Sequence, residues 1–195
     1  MKNTMKTDIK LYEQGLEEYP KSGIIFGNFI MLLWIVLGTI ACYFFQPLIA
    51  MIYFVFAVVM IFIVLRKLVC TNCYYYGKWC SLGWGKLSAL FFKKGSIEKF
   101  STGIGIKLAP LTYGLLTLIP VVLIIISIIR EFTMIQEFNI SKIAVMILLL
   151  LISFYSGAIS RKKSCENCKM RLICPGCAAK IKNHLTTVRR FQNKF

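Results

Sequence analysis

Seven of the eight cysteines fall into two short arrays spaced like metal ligands. Cys70, Cys73 and Cys80 form C-x2-C-x6-C, and Cys165, Cys168, Cys174 and Cys177 form C-x2-C-x5-C-x2-C. A C-x2-C segment turns tightly enough to set two sulfurs on one side of the chain, with backbone N–H groups of the turn directed at them. Two such knuckles supply the four thiolates of a tetrahedral zinc or iron site. Lys162, Lys163, Lys169 and Arg171 surround the second array, and their charge is expected to favour thiolate over thiol. The three-cysteine array leaves one position for a non-cysteine ligand, for His184, or for an exchangeable ligand on an iron–sulfur cluster. His184 is the only histidine, and a lone histidine in a basic tail is more often a plain surface residue. Cys42 lies in an apolar stretch and reads as a small packing residue.

The elements that must position these arrays are four apolar runs. They are Ile24 to Phe45, Leu48 to Leu65, Leu108 to Ile129 and Ile143 to Ser160, and none contains Asp, Glu, Lys, Arg or His. Each is near the ~20 residues a helix needs to cross a ~30 Å hydrocarbon core. Lipid cannot satisfy backbone polar groups, so the runs must be helical. The chain is 57% hydrophobic and only 16% charged, where a soluble domain carries about 25% charged residues. The predicted fold is an all-α integral membrane protein, a four-helix transmembrane bundle with a Cys-rich loop (66–107) and tail (161–195). Gln46-Pro47 makes a hairpin between the first two spans, and residues 130–142 form a short outer loop. Gly114, Thr117, Ser153, Ser156 and Gly157 are small enough to let helices approach, and Pro120 is placed to kink the third span.

Charge sets the expected orientation. Residues 66–107 carry eight basic residues against one acid, and the tail from Arg161 carries ten against one. The Gln46-Pro47 turn carries none, and residues 130–142 carry two of each sign. Basic loops stay cytoplasmic, so the loop, the tail and the N-terminus are all expected there, in a cytoplasmic membrane. This also accounts for the net charge of +16: it lies beside the membrane and attracts anionic lipid headgroups, which makes nucleic acid the weaker partner. The N-terminal 23 residues hold four lysines and four acids with no apolar core, unlike a signal peptide. Thr7 to Tyr19 suggests either a short interfacial helix or a frayed tail. Tyr74, Tyr75, Tyr76, Trp79 and Trp84 are expected at the headgroup layer, with Leu87 to Phe92 as an amphipathic interfacial helix. Asn139-Ile140-Ser141 matches a glycosylation sequon but lies close to a span.

The Cys174-Pro175-Gly176-Cys177 turn resembles the knuckle of rubredoxins and zinc ribbons. The resemblance covers about a dozen residues. It departs from those families in the five-residue gap between knuckles and in Ala178, where a glycine is common. It implies a metal knuckle but not the ribbon fold. The whole layout looks like small, uncharacterised, cysteine-rich polytopic membrane proteins of prokaryotes. In a reducing cytoplasm disulfides are disfavoured. Three functions follow as expectations. One is a non-enzymatic scaffold whose zinc knuckles order loops to dock a cytoplasmic protein partner. The second is a redox module holding an iron–sulfur cluster or dithiols, and the third is a small transporter that handles metal. Self-association is left open. No serine–histidine–acid set, Walker loop or dinucleotide fingerprint is present. Because each array directly follows an even-numbered span, the two are expected to be neighbours and to form one or two four-sulfur groupings.

Overall fold

The computed structural model describes residues 11–133 and 140–179. Expectations placed on Thr7 to Lys10, Asn139 and His184 lie outside the described residues. Four helices are long and apolar enough to cross a membrane: α1 (Lys21–Tyr43), α2 (Pro47–Asn72), α5 (Ile104–Thr133) and α6 (Ile140–Glu166). Between α2 and α5 lie a short helix α3 (Trp84–Phe91) and a single turn α4 (Lys99–Thr102). Among the described residues the only extended pairing is an isolated parallel bridge, Leu16 to Cys168. Apart from that bridge the described residues are helices, turns and loops, and the four long apolar helices make this a multi-pass chain.

The helices form where uncharged apolar runs leave no alternative partner for the backbone. Pro47 opens α2 at its first turn, where its missing N–H costs nothing. Gln46 and Phe45 donate back to the Cys42 carbonyl and close the expected hairpin. α2 and α6 share an irregularity. Each passes through a π-helical stretch, Val59–Val64 and Tyr155–Ser160, before one or two further α-helical turns deliver its cysteine array.

The core is small and lies between the helices. Trp34, Ile35, Ala41 and Cys42 of α1 meet Ala50, Tyr53, Ala57 and Ile61 of α2, Leu116 and Ile124 of α5, and Leu149 of α6. Cys42 is fully buried, as its reading as a packing residue requires. Large apolar side chains such as Ile25, Met51, Leu118 and Leu151 point outward, as they must where the solvent is lipid. The fourth helix is the most peripheral: 6% of its apolar window is buried, against 33%, 28% and 28% for the others.

Tyr53, Trp34 and Ser127 each find a hydrogen-bond acceptor inside the bundle. Pro120 sits within α5 without interrupting it. A proline has no N–H for the carbonyl four residues back, here Leu116. The Tyr53 hydroxyl donates to that carbonyl at 2.8 Å. The close approach behind this contact is at Gly38, where a Cβ would collide with the Tyr53 hydroxyl. Gly114 and Gly157 have open space instead, so they do not mediate the approach expected of them. Trp34 Nε1 reaches Ser153 Oγ at 3.0 Å and ties α1 to α6.

The helices outrun the apolar runs at both ends and carry charge with them. α5 continues through Arg130 and Glu131, and α6 begins before Lys142. The Lys142 ammonium, 6% exposed, reaches Glu131 at 2.5 Å and Ser127 Oγ at 2.7 Å. Ser127 in turn donates to Phe44 O at 3.1 Å and joins this end of the bundle to the hairpin. At the other end α2 carries the buried Arg66. Charge is therefore present inside the helical elements, although the apolar runs contain none.

Candidate metal centre at the cysteine-rich end

All seven array cysteines sit at one end of the bundle, opposite the hairpin, and all are half-buried free thiols. α2 delivers Cys70 in its last, 3-10 turn, and Cys73 and Cys80 follow. α6 delivers Cys165 in its last turn, with Cys168, Cys174 and Cys177 beyond. The three C-x2-C segments have the same closure. The backbone N–H of the second cysteine donates to the carbonyl of the first, at 3.3 Å for Cys73 to Cys70, 3.3 Å for Cys168 to Cys165 and 3.1 Å for Cys177 to Cys174.

The sulfurs also meet backbone amides. The backbones of Tyr75, Met170, Gly176 and Ala179 lie against Cys73, Cys168, Cys174 and Cys177, each two residues earlier, and favour their thiolates. The Gly85 N–H donates to Cys80 Sγ at 3.4 Å. Cys177 Sγ donates to Ala179 O at 3.5 Å, and Cys165 is close enough to raise its thiol further. Cys73 lies within electrostatic reach of Cys168 as well as of Cys70 and Cys80. The two arrays are therefore neighbours.

The expected four-sulfur groupings are not formed. Among the described residues no three His, Cys, Asp or Glu side chains are gathered closely enough to hold a metal ion. The donor chemistry and the turn geometry suit zinc or iron, but the sulfurs do not converge.

Electrostatics around the thiols also differs from expectation. Burial pushes the thiols of Cys73, Cys168, Cys174 and Cys177 up, Cys168 to about 11, and neighbouring cysteines add to the rise. The basic residues around the tail do not reverse this, because they are engaged elsewhere. Lys169 pairs with Glu17 at 2.6 Å. Arg171 lies over the Tyr12 ring, 5.3 Å from its centroid, and Lys162 and Lys163 point to solvent.

A third segment, residues 11–20, binds both arrays. Residues 11–20 form turns and the isolated bridge, not the interfacial helix proposed for Thr7 to Tyr19. Tyr12 N–H donates to Lys169 O at 3.0 Å and Leu16 N–H to Asn167 O at 2.9 Å. Tyr19 N–H donates to Trp79 O at 2.9 Å, and its hydroxyl to Ser164 O at 2.7 Å. The Tyr75 hydroxyl donates to Leu16 O at 2.7 Å and accepts from Lys169 N–H at 3.1 Å, so one side chain holds loop, strap and tail. Glu17 accepts from Tyr74 and pairs with Lys78 at 3.1 Å as well as with Lys169. These side-chain hydrogen bonds, that of Lys169 first and then those of Tyr74 and Lys78, hold its carboxyl down at about 2. Tyr75 and Trp84, expected at the headgroup layer, are buried and serve as packing residues. The sequence offered one clue to the strap: half of the chain's eight acids lie ahead of the first span, and the tail is strongly basic.

The chain matches no protein-family model, no curated protein and no solved structure.

Proposed function

We propose that this is a multi-pass protein of the cytoplasmic membrane whose cysteine-rich cap binds zinc and acts as a docking scaffold, not an enzyme. The observation that carries the reading is the repeated knuckle. Three C-x2-C turns close by the same backbone hydrogen bond, and four sulfurs have the backbone amide two residues on against them. Such amides lower the cost of placing several thiolates together, and a divalent cation offsets the rest. Cys165, Cys168, Cys174 and Cys177 are the ligands of the tail site. Cys70, Cys73 and Cys80 form an adjoining set, joined to the tail where Lys169 N–H donates to the Tyr75 hydroxyl at 3.1 Å. Zinc bound there fixes tail, strap and loop into one surface for a cytoplasmic partner. The cap faces the cytoplasm because both of its large segments are basic.

A redox reading rests on a different feature, the closeness of Cys165 to Cys177, two thiols that would exchange electrons as a dithiol or bind an iron–sulfur cluster. One experiment separates the two. Protein purified anaerobically in mild detergent is expected to be colourless, with stoichiometric zinc. A brown protein with iron and acid-labile sulfide overturns the scaffold in favour of the redox module, and a protein with neither metal overturns the metal site. Orientation is tested by reporter fusions at Phe195 and Gln136, expected on opposite sides of the membrane.

A further inference from the structure

Beside the cysteine cap lies a cavity of about 390 Å³, lined by Ile24 and Asn28 of α1, Phe62 and Arg66 of α2, Trp79 and Trp84, and by Lys86, Leu87 and Leu90 of α3. That volume falls within the ~300–1,000 Å³ of small-molecule sites. Hydrogen bonds tie its walls together. Asn28 donates to Ile24 O at 2.8 Å and to Leu82 O at 2.9 Å, and accepts from Trp84 Nε1 at 3.2 Å. Gly83 turns the chain into α3 with a φ of 72°.

Arg66 is the anomaly. It is 3% exposed, its Nε has no hydrogen-bond partner, and among the described residues no carboxylate pairs with it. Its guanidinium lies 4.7 Å from the centroids of both Phe62 and Trp84. Two aromatic faces hold the cation flat, but they accept no hydrogen bond through its edge. A buried donor without a partner is rare enough to need a reason. A second cation, Lys86, stands over the Trp79 ring at 4.7 Å. Leu90 and Phe91 of α3 are 74% and 73% exposed and carry the apolar surface outward from the cavity. The cavity therefore offers a planar guanidinium with a free Nε–H and an ammonium at the end of the spanning helices, with an apolar wall leading away.

We propose that this cavity is a binding site for an anionic phospholipid. Arg66 and Lys86 take the headgroup phosphate, and Leu87 and Leu90 flank the start of an acyl chain. Guanidinium is the natural partner of a phosphate oxygen pair. The proposal rests on the membrane-spanning reading and not on the cysteine site, so the two fail separately.

The test uses the whole protein in detergent micelles, titrated with brominated-chain phosphatidylglycerol or phosphatidylcholine. Bromine quenches tryptophan at contact, and Trp79 and Trp84 line the cavity. Phosphatidylglycerol is expected to quench at a roughly tenfold lower mole fraction than phosphatidylcholine, the scale of one charge-assisted hydrogen bond. Arg66→Met should abolish that preference while zinc content stays at the parent value. Lys86 is exposed, so Lys86→Ala should leave the fold intact and lower the preference about two- to threefold. Lys94→Ala, outside the cavity, should change nothing. Equal quenching by the two lipids overturns the site, as does an effect of Lys94→Ala as large as that of Lys86→Ala, which is diffuse charge. Loss of metal together with preference in Arg66→Met assigns Arg66 to the neighbouring thiolates of Cys70 and Cys80 and also overturns it. Displacement of the lipid by millimolar inorganic phosphate makes the ligand a free anion and not a lipid.

Discussion

The two cysteine arrays leave the bundle alike and are then held by different means. Each follows a long helix with a π-helical section, and each begins with a C-x2-C turn closed at 3.3 Å. From there they diverge. Cys70 and Cys80 pack against the main apolar core, and Trp84, a few residues on, is part of that core. The tail array has no such anchorage. α6 is the least buried helix, and its tail is fastened by backbone hydrogen bonds from the N-terminal strap, by Tyr75, and by Arg161, which donates to Gly176 O at 2.6 Å. The first array is a piece of the bundle's packing, and the second is a clasp. The metal proposed above would add little to the shape of the first and more to that of the second.

The sharpest way to break that contrast is to remove one ligand from each array. Cys174→Ser should empty the tail site, with a loss of zinc affinity beyond the ~10–100-fold that even outer-shell changes cost. It should also expose residues near 165–179 to protease. Cys80→Ser should lower metal content without opening its loop. If both variants open equally, the arrays are held by the same means and the contrast is false. Next in size is Gly85→Ala, which attacks the first array alone. A Cβ at Gly85 meets the backbone carbonyls of Tyr75 and Lys78, and backbone cannot swing aside. Overpacking of this kind costs about 3 kcal/mol. Thermal unfolding in detergent should fall accordingly, with faster alkylation of Cys70, Cys73 and Cys80 and unchanged alkylation of Cys174 and Cys177.

The bundle was legible in the sequence because lipid imposes a single rule, and four uncharged runs obey it. The knuckles were legible because their closure is local, within four residues. What escaped depends on contacts between distant segments. Leu16 pairs with Cys168 across the length of the chain, and nothing in the residues around Leu16 encodes that bridge. Tyr75 looked like one of three interfacial tyrosines. Only its neighbours make it the pin between strap and tail, whereas Tyr74 binds the exposed Glu17. Arg66 and Lys142 were read as loop charges because the apolar runs stop short of them. The helices continue, since a backbone already hydrogen-bonded has no reason to stop at a charge that finds a ring or a carboxylate.

Tyr75→Phe is the more delicate probe of the clasp. Removing one oxygen leaves the Leu16 carbonyl and the Lys169 N–H without their partner, and the site is too enclosed for full hydration. The expected cost is about 1–3 kcal/mol. Hydrogen exchange should quicken at Leu16 and at Lys169 together, and stay slow at Tyr53 and Leu116 inside the bundle. Exchange that quickens at one of the two sites alone means that loop, strap and tail are not joined through this hydroxyl.

The smallest effect expected is that of Glu17, and its sign is set by its depressed carboxyl. The ordinary value is 4.5, and its partners, Lys169 foremost, hold it near 2. A carboxylate depressed on folding adds stability that is complete above the ordinary value and lost as pH falls through the folded one. The clasp should therefore be indifferent to pH between 7 and 5 and loosen only below about 4, finishing near 2. Glu17 is 61% exposed, and water and salt screen its ion pairs, so the loosening should be slight and smaller still at high ionic strength. Glu17→Gln keeps the shape and an acceptor for Tyr74 but discards the charge. Its strap should behave at pH 7 as the parent's does at pH 2, measured by protease cleavage within residues 11–20. A parent strap that opens already between pH 7 and 5 is governed by some other group, and Glu17 is then not the residue that fastens the strap to the tail.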